Sequence, residues 1–316
     1  MVKSPCKPTF SWGVILAYDK PLKAIFLELL ENYFDFSKVD TEYGVLFKEI
    51  RIDILIENLK PKKDFPKNSW IGFIVANNRR FVVIEAKSIG SKANLKAIRK
   101  LFLYKAILAE KFNCSYKEIM PVLIVSRVPS VLEKRLKEDV DRNLTIRGKE
   151  GLYKISGLEA LETLIIAVDE LNPKVEYNEI LMIFSSIDEL SKKAATEILR
   201  RYPSSTFLYA FAIIYRPEVS QMAKTELIPP ERLALAISVI GVDKLVEAIE
   251  VIGIDKLAKA LGPEKTAKMI EEVGIDKLAK ALGPEKTAKM ILDLVKTLPK
   301  DLRRKLLEEI LASFLE

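Results

Sequence analysis

The run Ile50 to Glu57, IRIDILIE, constrains the fold of this chain more than any other: Ile50, Ile52, Ile54 and Ile56 alternate with Arg51, Asp53, Leu55 and Glu57. A period of two belongs to a β-strand, and a strand with an isoleucine face has to bury it under helices or a second sheet. The strand region extends over Tyr43 to Glu57 and puts Asp53 mid-strand, on the less apolar face. Before it, Leu22, Ile25, Phe26, Leu29, Leu30 and Tyr33 recur at helical spacing and predict an amphipathic helix over Pro21 to Phe36.

After it comes a Lys- and Pro-rich loop, Lys60 to Asn68. Trp70 to Ala76 and Arg80 to Lys87 read as two β-rich runs joined by a turn at Asn77-Asn78, so that a Glu-x-Lys triplet ends a hairpin strand. A helix is expected over Asn94 to Lys111, a buried strand over Pro121 to Ser126 and an amphipathic helix near Ser130 to Asp141. From Leu158 onward the pattern is helical, interrupted by Pro173, Pro203, Pro217, Pro229, Pro230, Pro263, Pro284 and Pro299. Within it GIDKLAKALGPEKTAKMI occurs twice, at Gly253 to Ile270 and Gly274 to Ile291, a 21-residue period, with a degenerate copy from Gly241. Each copy reads as a small helical hairpin that must stack on a neighbour to bury its apolar face. The expected architecture is an α/β domain over 1–157, a helical domain over 158–240, and a repeat region with a C-terminal helix over 241–316.

Composition narrows the chemistry. The chain has no histidine, which removes Ser-His-Asp and Cys-His machinery and histidine-ligated metals. No P-loop and no G-x-G-x-x-G occurs, and Cys6 and Cys114 lack the spacing of a zinc site or disulfide framework. The longest apolar stretches, such as Phe207 to Tyr215, are too short to span a bilayer, so a cytoplasmic protein without a membrane partner is expected. Gln occurs once, at Gln221, against abundant Lys and Glu, a bias of proteins that work hot. Between Lys60 and Glu150 there are 21 Lys/Arg against 9 Asp/Glu, whereas Gly241 to Glu316 balances at 14 against 14. The local surplus of 12 in the first half is the candidate polyanion face.

Carboxylates and lysine remain, and they suit phosphodiester hydrolysis. Asp53 and Glu85 on neighbouring strands offer hard oxygen ligands for Mg²⁺ or Mn²⁺, with the Ala86 carbonyl as a third. Lys87, two residues from Glu85, projects to the same strand face and can hold the attacking water. Arg79, Arg80, Lys92, Lys96 and Arg99 flank this triplet in sequence and are candidate phosphate contacts. An isolated Glu-x-Lys is a weak signal, and the same three residues could form an ordinary cross-strand salt-bridge network. Asp64 is an alternative carboxylate, set in a loop poorly suited to a rigid ligand.

The runs RIDILIE and FVVIEAKS (Phe81 to Ser88), with the helix IRKLFLYKA (Ile98 to Ala106) and the strand PVLIVS, resemble the PD-(D/E)xK nuclease superfamily over about Pro21 to Leu171. That superfamily includes archaeal Holliday-junction resolvases, RecB-like nucleases and many restriction enzymes. The resemblance implies a restriction-endonuclease-like core with Asp53, Glu85 and Lys87 at the chemistry and a glutamate of the first helix, Glu31 ahead of Glu28, completing the metal site. It also aligns Lys100 and Tyr104 with a helix Gln and Tyr of RecB-like members, where Lys for Gln is a departure. The 32 residues from Asp53 to Glu85 are a second departure. On this reading the chain is a Mg²⁺-dependent deoxyribonuclease, an endonuclease, forming a homo-oligomer through its helical half. The rival expectations are a catalytically silent nucleic-acid-binding module of the same fold and a helical-repeat interaction scaffold.

Overall fold

The computed structural model describes residues 19–46, 50–87, 90–202, 205–216, 219, 283–297, 300 and 303–304. Its order is α1 (Asp19–Tyr33), β1 (Phe34–Asp35), β2 (Lys38–Leu46), β3 (Ile50–Glu57), β4 (Lys60–Pro61), α2 (Trp70–Ala76), β5 (Phe81–Ala86), α3 (Leu95–Lys111), β6 (Ile119–Val125), α4 (Leu132–Asp139), β7 (Thr145–Lys149), β8 (Leu152–Ser156) and β9 (Thr163–Ala167). Helices α5 (Asn178–Met182), α6 (Asp188–Arg201) and α7 (Thr206–Tyr215) follow. Seven strands form one mixed sheet in the order β2-β3-β5-β6-β9-β8-β7, while β1 and β4 form a separate ribbon. The pairs β5–β6 and β6–β9 are parallel, and every other neighbour in the sheet is antiparallel.

Both faces of the sheet's centre are covered. Ile56 and Ile84 pack under Phe26, Leu29 and Leu30 of α1 and Trp70, Ile71 and Ile74 of α2. Leu55, Phe81 and Val83 point to the opposite face, into a core with Ile98, Leu101, Tyr104 and Leu108 of α3. Strands β5, β6 and β9 are buried along their whole length, as parallel strands roofed on both sides must be. Asp53 is therefore not on a solvated face: it is 8% exposed, and its side of β3 lies under α3.

Three expectations are corrected here. Trp70 to Ala76 is a helix, not a hairpin strand, although its residues favour β structure. Ser69 caps it, accepting from Gly72 N at 3.0 Å, and Trp70 is locked from both ends, its N–H donating to Asn178 Oδ1 (2.9 Å) and its indole to the Tyr177 carbonyl (2.7 Å). A Cβ on Gly72 would fall 2.0 Å from the Pro66 carbonyl oxygen, so the turn into α2 requires glycine there. Second, β5 pairs with β3 instead of the 70–76 segment. Third, Thr163–Ala167 is a strand inside the sheet, not part of a helical half. A short apolar run fits a buried strand and a buried helix turn equally in sequence, and the open slot between β6 and β8 decides it. The β7–β8 hairpin turns through Glu150 and Gly151, both at positive φ (51° and 79°), the geometry of a type I′ turn.

The sheet thus continues beyond 157, and the chain divides into compact units at Leu190/Ser191. In the second unit most of α6, α7 and a helix over Pro284–Thr297 are described. The latter begins at a proline, as the second half of each repeat predicts, and most of the repeat region, including the expected stacking, lies outside the described residues. Among the described residues no helix is long and apolar enough to cross a membrane.

Candidate active site

The ladder between β3 and β5 ends at Ile54↔Ile84. One step further Asp53 and Glu85 stand across from each other on the face covered by α3. The strands separate here, and the Asp53 carboxylate bridges the gap: its Oδ2 accepts from the Ala86 N–H at 2.9 Å. The next amide, Lys87 N–H, donates to the Ile124 carbonyl of β6 at 3.0 Å, so the triplet's backbone is fixed between two neighbouring strands.

Glu85 is 2% exposed. Its Oε1 accepts from the Lys87 ammonium and from the Lys100 ammonium, the latter at 2.7 Å, and the Tyr104 hydroxyl approaches Oε2 at 3.4 Å. A carboxylate this buried is tolerable only when paired and hydrogen-bonded, and here two cations supply both. Lys96, Lys100 and Tyr104 recur every four residues of α3, which stacks them along one stripe above the strand ends. The Lys100 ammonium also lies 5.1 Å from the Tyr104 ring centre. The side chains of Lys87 and Lys100 are 31% and 38% exposed, so the buried carboxylate reaches solvent through its two lysines.

Of the remaining candidates, Lys92 lies in the approach to α3 and forms a β-bridge with Arg127 at the end of β6; both are exposed at the Glu85 end of the sheet, as is Lys96. Arg127 escaped the sequence reading, although its place directly after a buried apolar strand marks it as a strand-end residue. Arg79 and Arg80 precede β5 and lie at its other end, roughly 20 Å away at ~3.3 Å per residue. Arg80 is spent there on Glu57 (3.2 Å) and Glu118 (3.6 Å). Arg99 turns to α4, donating to the Asp139 carbonyl at 3.0 Å, a helix-end cap.

Glu28 and Glu31 occupy the last turns of α1. The Glu31 carbonyl accepts from Lys62 at 3.2 Å, and Glu28 is bonded by Asn32 at 3.1 Å. These turns pack on the face of the sheet opposite α3, and among the described residues no third acid joins Asp53 and Glu85 in a group that could hold a metal ion. Asp64 is exposed in its loop.

Two hard carboxylates suffice for Mg²⁺ when water and substrate phosphate complete the shell, so Asp53 and Glu85 fit that ion by donor chemistry, with the Ala86 carbonyl beside them. A second cluster escaped the sequence reading. Lys105 is 1% exposed, donates to the Glu159 carbonyl at 2.8 Å, and is pushed down to about 8 chiefly by burial. It lines a cleft of about 420 Å³ with Arg79, Tyr116, Lys117, Glu159 and Glu162, at the sheet end away from Glu85. No family model, curated protein or solved structure matched the chain.

Proposed function

We propose that the first unit is a metal-dependent nuclease that hydrolyses DNA phosphodiester bonds, with Asp53 and Glu85 as metal ligands and Lys87 at the attacking water. The observation that carries this is the convergence, on one sheet face, of an Asp–Glu pair with a lysine whose ammonium touches the glutamate. Bound Mg²⁺ would supply charge neutralisation at the phosphate and a more acidic water. Lys87 orients that water and offsets the charge that develops on the phosphoryl oxygens as the bond from phosphorus to the leaving oxygen breaks. Asp53 holds its place through the Ala86 amide, which keeps the carboxylate aimed across the strand gap. Lys92, Lys96 and Arg127 form the cationic approach for the strand being cut. Restriction to DNA, endonucleolytic cutting and a homo-oligomer built by the helical half belong to the same reading.

One observation favours a second reading. Glu85 Oε1 already carries two ammonium groups, an arrangement that neutralises the carboxylate without a metal, as a silent nucleic-acid-binding module of this fold would. Mn²⁺ titration followed by electron paramagnetic resonance separates the two. The nuclease reading predicts a saturable site lost in Asp53→Asn and in Glu85→Gln; salt-dependent DNA binding with no saturable Mn²⁺ in the wild type supports the silent module.

A further inference from the structure

The basic loop between Asp53 and Glu85 plays no part in that site, yet it carries an arrangement of its own. The ammonium of Lys63 lies 4.0 Å from the ring centre of Tyr33, 4.9 Å from that of Tyr177 and 5.6 Å from that of Phe65. The three rings stand at steep angles to one another, 85°, 77° and 72° pairwise, so they form walls around one point instead of a stack. The Tyr177 hydroxyl accepts from Lys63 at 2.5 Å, and burial first, then the charge of Glu176, pushes the Tyr33 and Tyr177 hydroxyls above their ordinary range. The Tyr33 ring, the flanking rings of Phe65 and Tyr177 and the Tyr177 hydroxyl surround one cation and make a cage for an ammonium group.

The walls are held by contacts that do not involve Lys63. Phe65 stacks on Phe34 at 5.2 Å and 7°. Tyr177 is 4% exposed, and its carbonyl is fixed by the Trp70 indole at 2.7 Å. Its backbone sits at φ 75°, a left-handed conformation that a bulky residue adopts only when its surroundings impose it. Lys63 itself is exposed, on a loop with Lys62 and Lys67. The walls are packed independently of Lys63, and their occupant is the tip of a surface side chain.

We propose that Tyr33, Phe65 and Tyr177 form a binding site for methylated ammonium groups, in which Lys63 is an internal occupant that an external cation displaces. Rings favour weakly hydrated cations, and methylation removes the hydration that a primary ammonium must shed. A tethered lysine competes at a local concentration in the millimolar range or above, so it masks the site in the wild type. The two sources of such a cation are a small quaternary amine and a methyllysine side chain on a protein partner.

The test is ligand-observed proton NMR on the full chain, following the N-methyl signal of tetramethylammonium and of a trimethyllysine-containing peptide. Contact with the rings shifts that signal upfield. We expect Lys63→Ala to bind tetramethylammonium saturably, at least tenfold more tightly than the wild type, and Lys63→Ala/Tyr33→Leu to lose that binding. Tighter binding of the peptide than of the small cation points to a protein partner, and equal binding to a free amine. Absence of saturable binding to a folded Lys63→Ala, binding no tighter than in the wild type, or binding that survives Tyr33→Leu overturns the proposal. A circular dichroism melt of each variant establishes that it is folded. The result is independent of whether the Asp53–Glu85 site cuts DNA.

Discussion

Replacing Lys87 and Lys100 by methionine, singly and together, probes the Glu85 cluster quantitatively. Either single change leaves Glu85 one ammonium partner. Each therefore costs about one charge-assisted hydrogen bond, offset by the packing of the new side chain, or ~1–2 kcal/mol. The double change strands a carboxylate that is 2% exposed, with only the Tyr104 hydroxyl at 3.4 Å. An unpaired buried charge costs ~3–5 kcal/mol, so the pair should exceed the sum of the singles by roughly 1 kcal/mol. For a folded unit of this size that is a Tm loss of roughly 6–20 °C in the double variant, at about 2–4 °C per kcal/mol. Urea unfolding at constant pH, with the m-value checked for two-state behaviour, reads the four corners of the cycle. Strict additivity, or a double variant within ~0.5 kcal/mol of wild type, would show that Glu85 is hydrated and that the two lysines do not share it.

Further outcomes follow from the charges elsewhere. Lys105 falls from 10.5 to about 8 in the folded chain, so the unfolded chain binds the extra proton between those values and stability rises with pH across that window. Relative to Lys105→Met, which lacks this titration, the wild type should gain about 2 kcal/mol between pH 7 and pH 10.5, half to two-thirds of the unscreened value because the cleft admits water. A difference that stays flat with pH contradicts a buried, depressed Lys105. Lys92→Ala, Lys96→Ala and Arg127→Ala should each weaken DNA binding uniformly across sequences and lower the salt slope by ~0.9 per lost phosphate contact. Arg80→Ala should leave fluorescence-anisotropy titrations unchanged, since its guanidinium is paired with Glu57 and Glu118 at the other end of the strand.

The strand around Asp53 was legible because its alternation is local, and so was Lys87, which follows from a strand period of two. Lys100 and Tyr104 were assigned by resemblance, and their spacing of four on α3 is what brings both to Glu85. What was not legible depends on tertiary context. Trp70 to Ala76 carries a strand's residue types, and its helix is set by the Ser69 cap and by partners more than 100 residues on, Tyr177 and Asn178. Thr163–Ala167 is a strand because β6 and β8 leave it a slot. Proximity in sequence misled for Arg79, Arg80 and Arg99: β5 runs its full length between Arg80 and Lys87, and Arg99 lies on a different side of α3 from Lys100. Glu28 and Glu31 were assigned by resemblance, and the sheet separates their helix from the face that carries Glu85. The aromatic cage needs residues from α1, the basic loop and the approach to α5, and no local pattern announces it.

The measurement closest to the central claim is cleavage of labelled single-stranded, duplex and branched DNA with Mg²⁺ or Mn²⁺, comparing wild type with Asp53→Ala and Lys87→Ala. The account predicts metal-dependent cutting by the wild type and at least a hundredfold loss in both folded variants, the scale of removing one preorganised charge from a site of this kind. Absence of metal-dependent cutting in the wild type, or cutting that survives both substitutions, would contradict it.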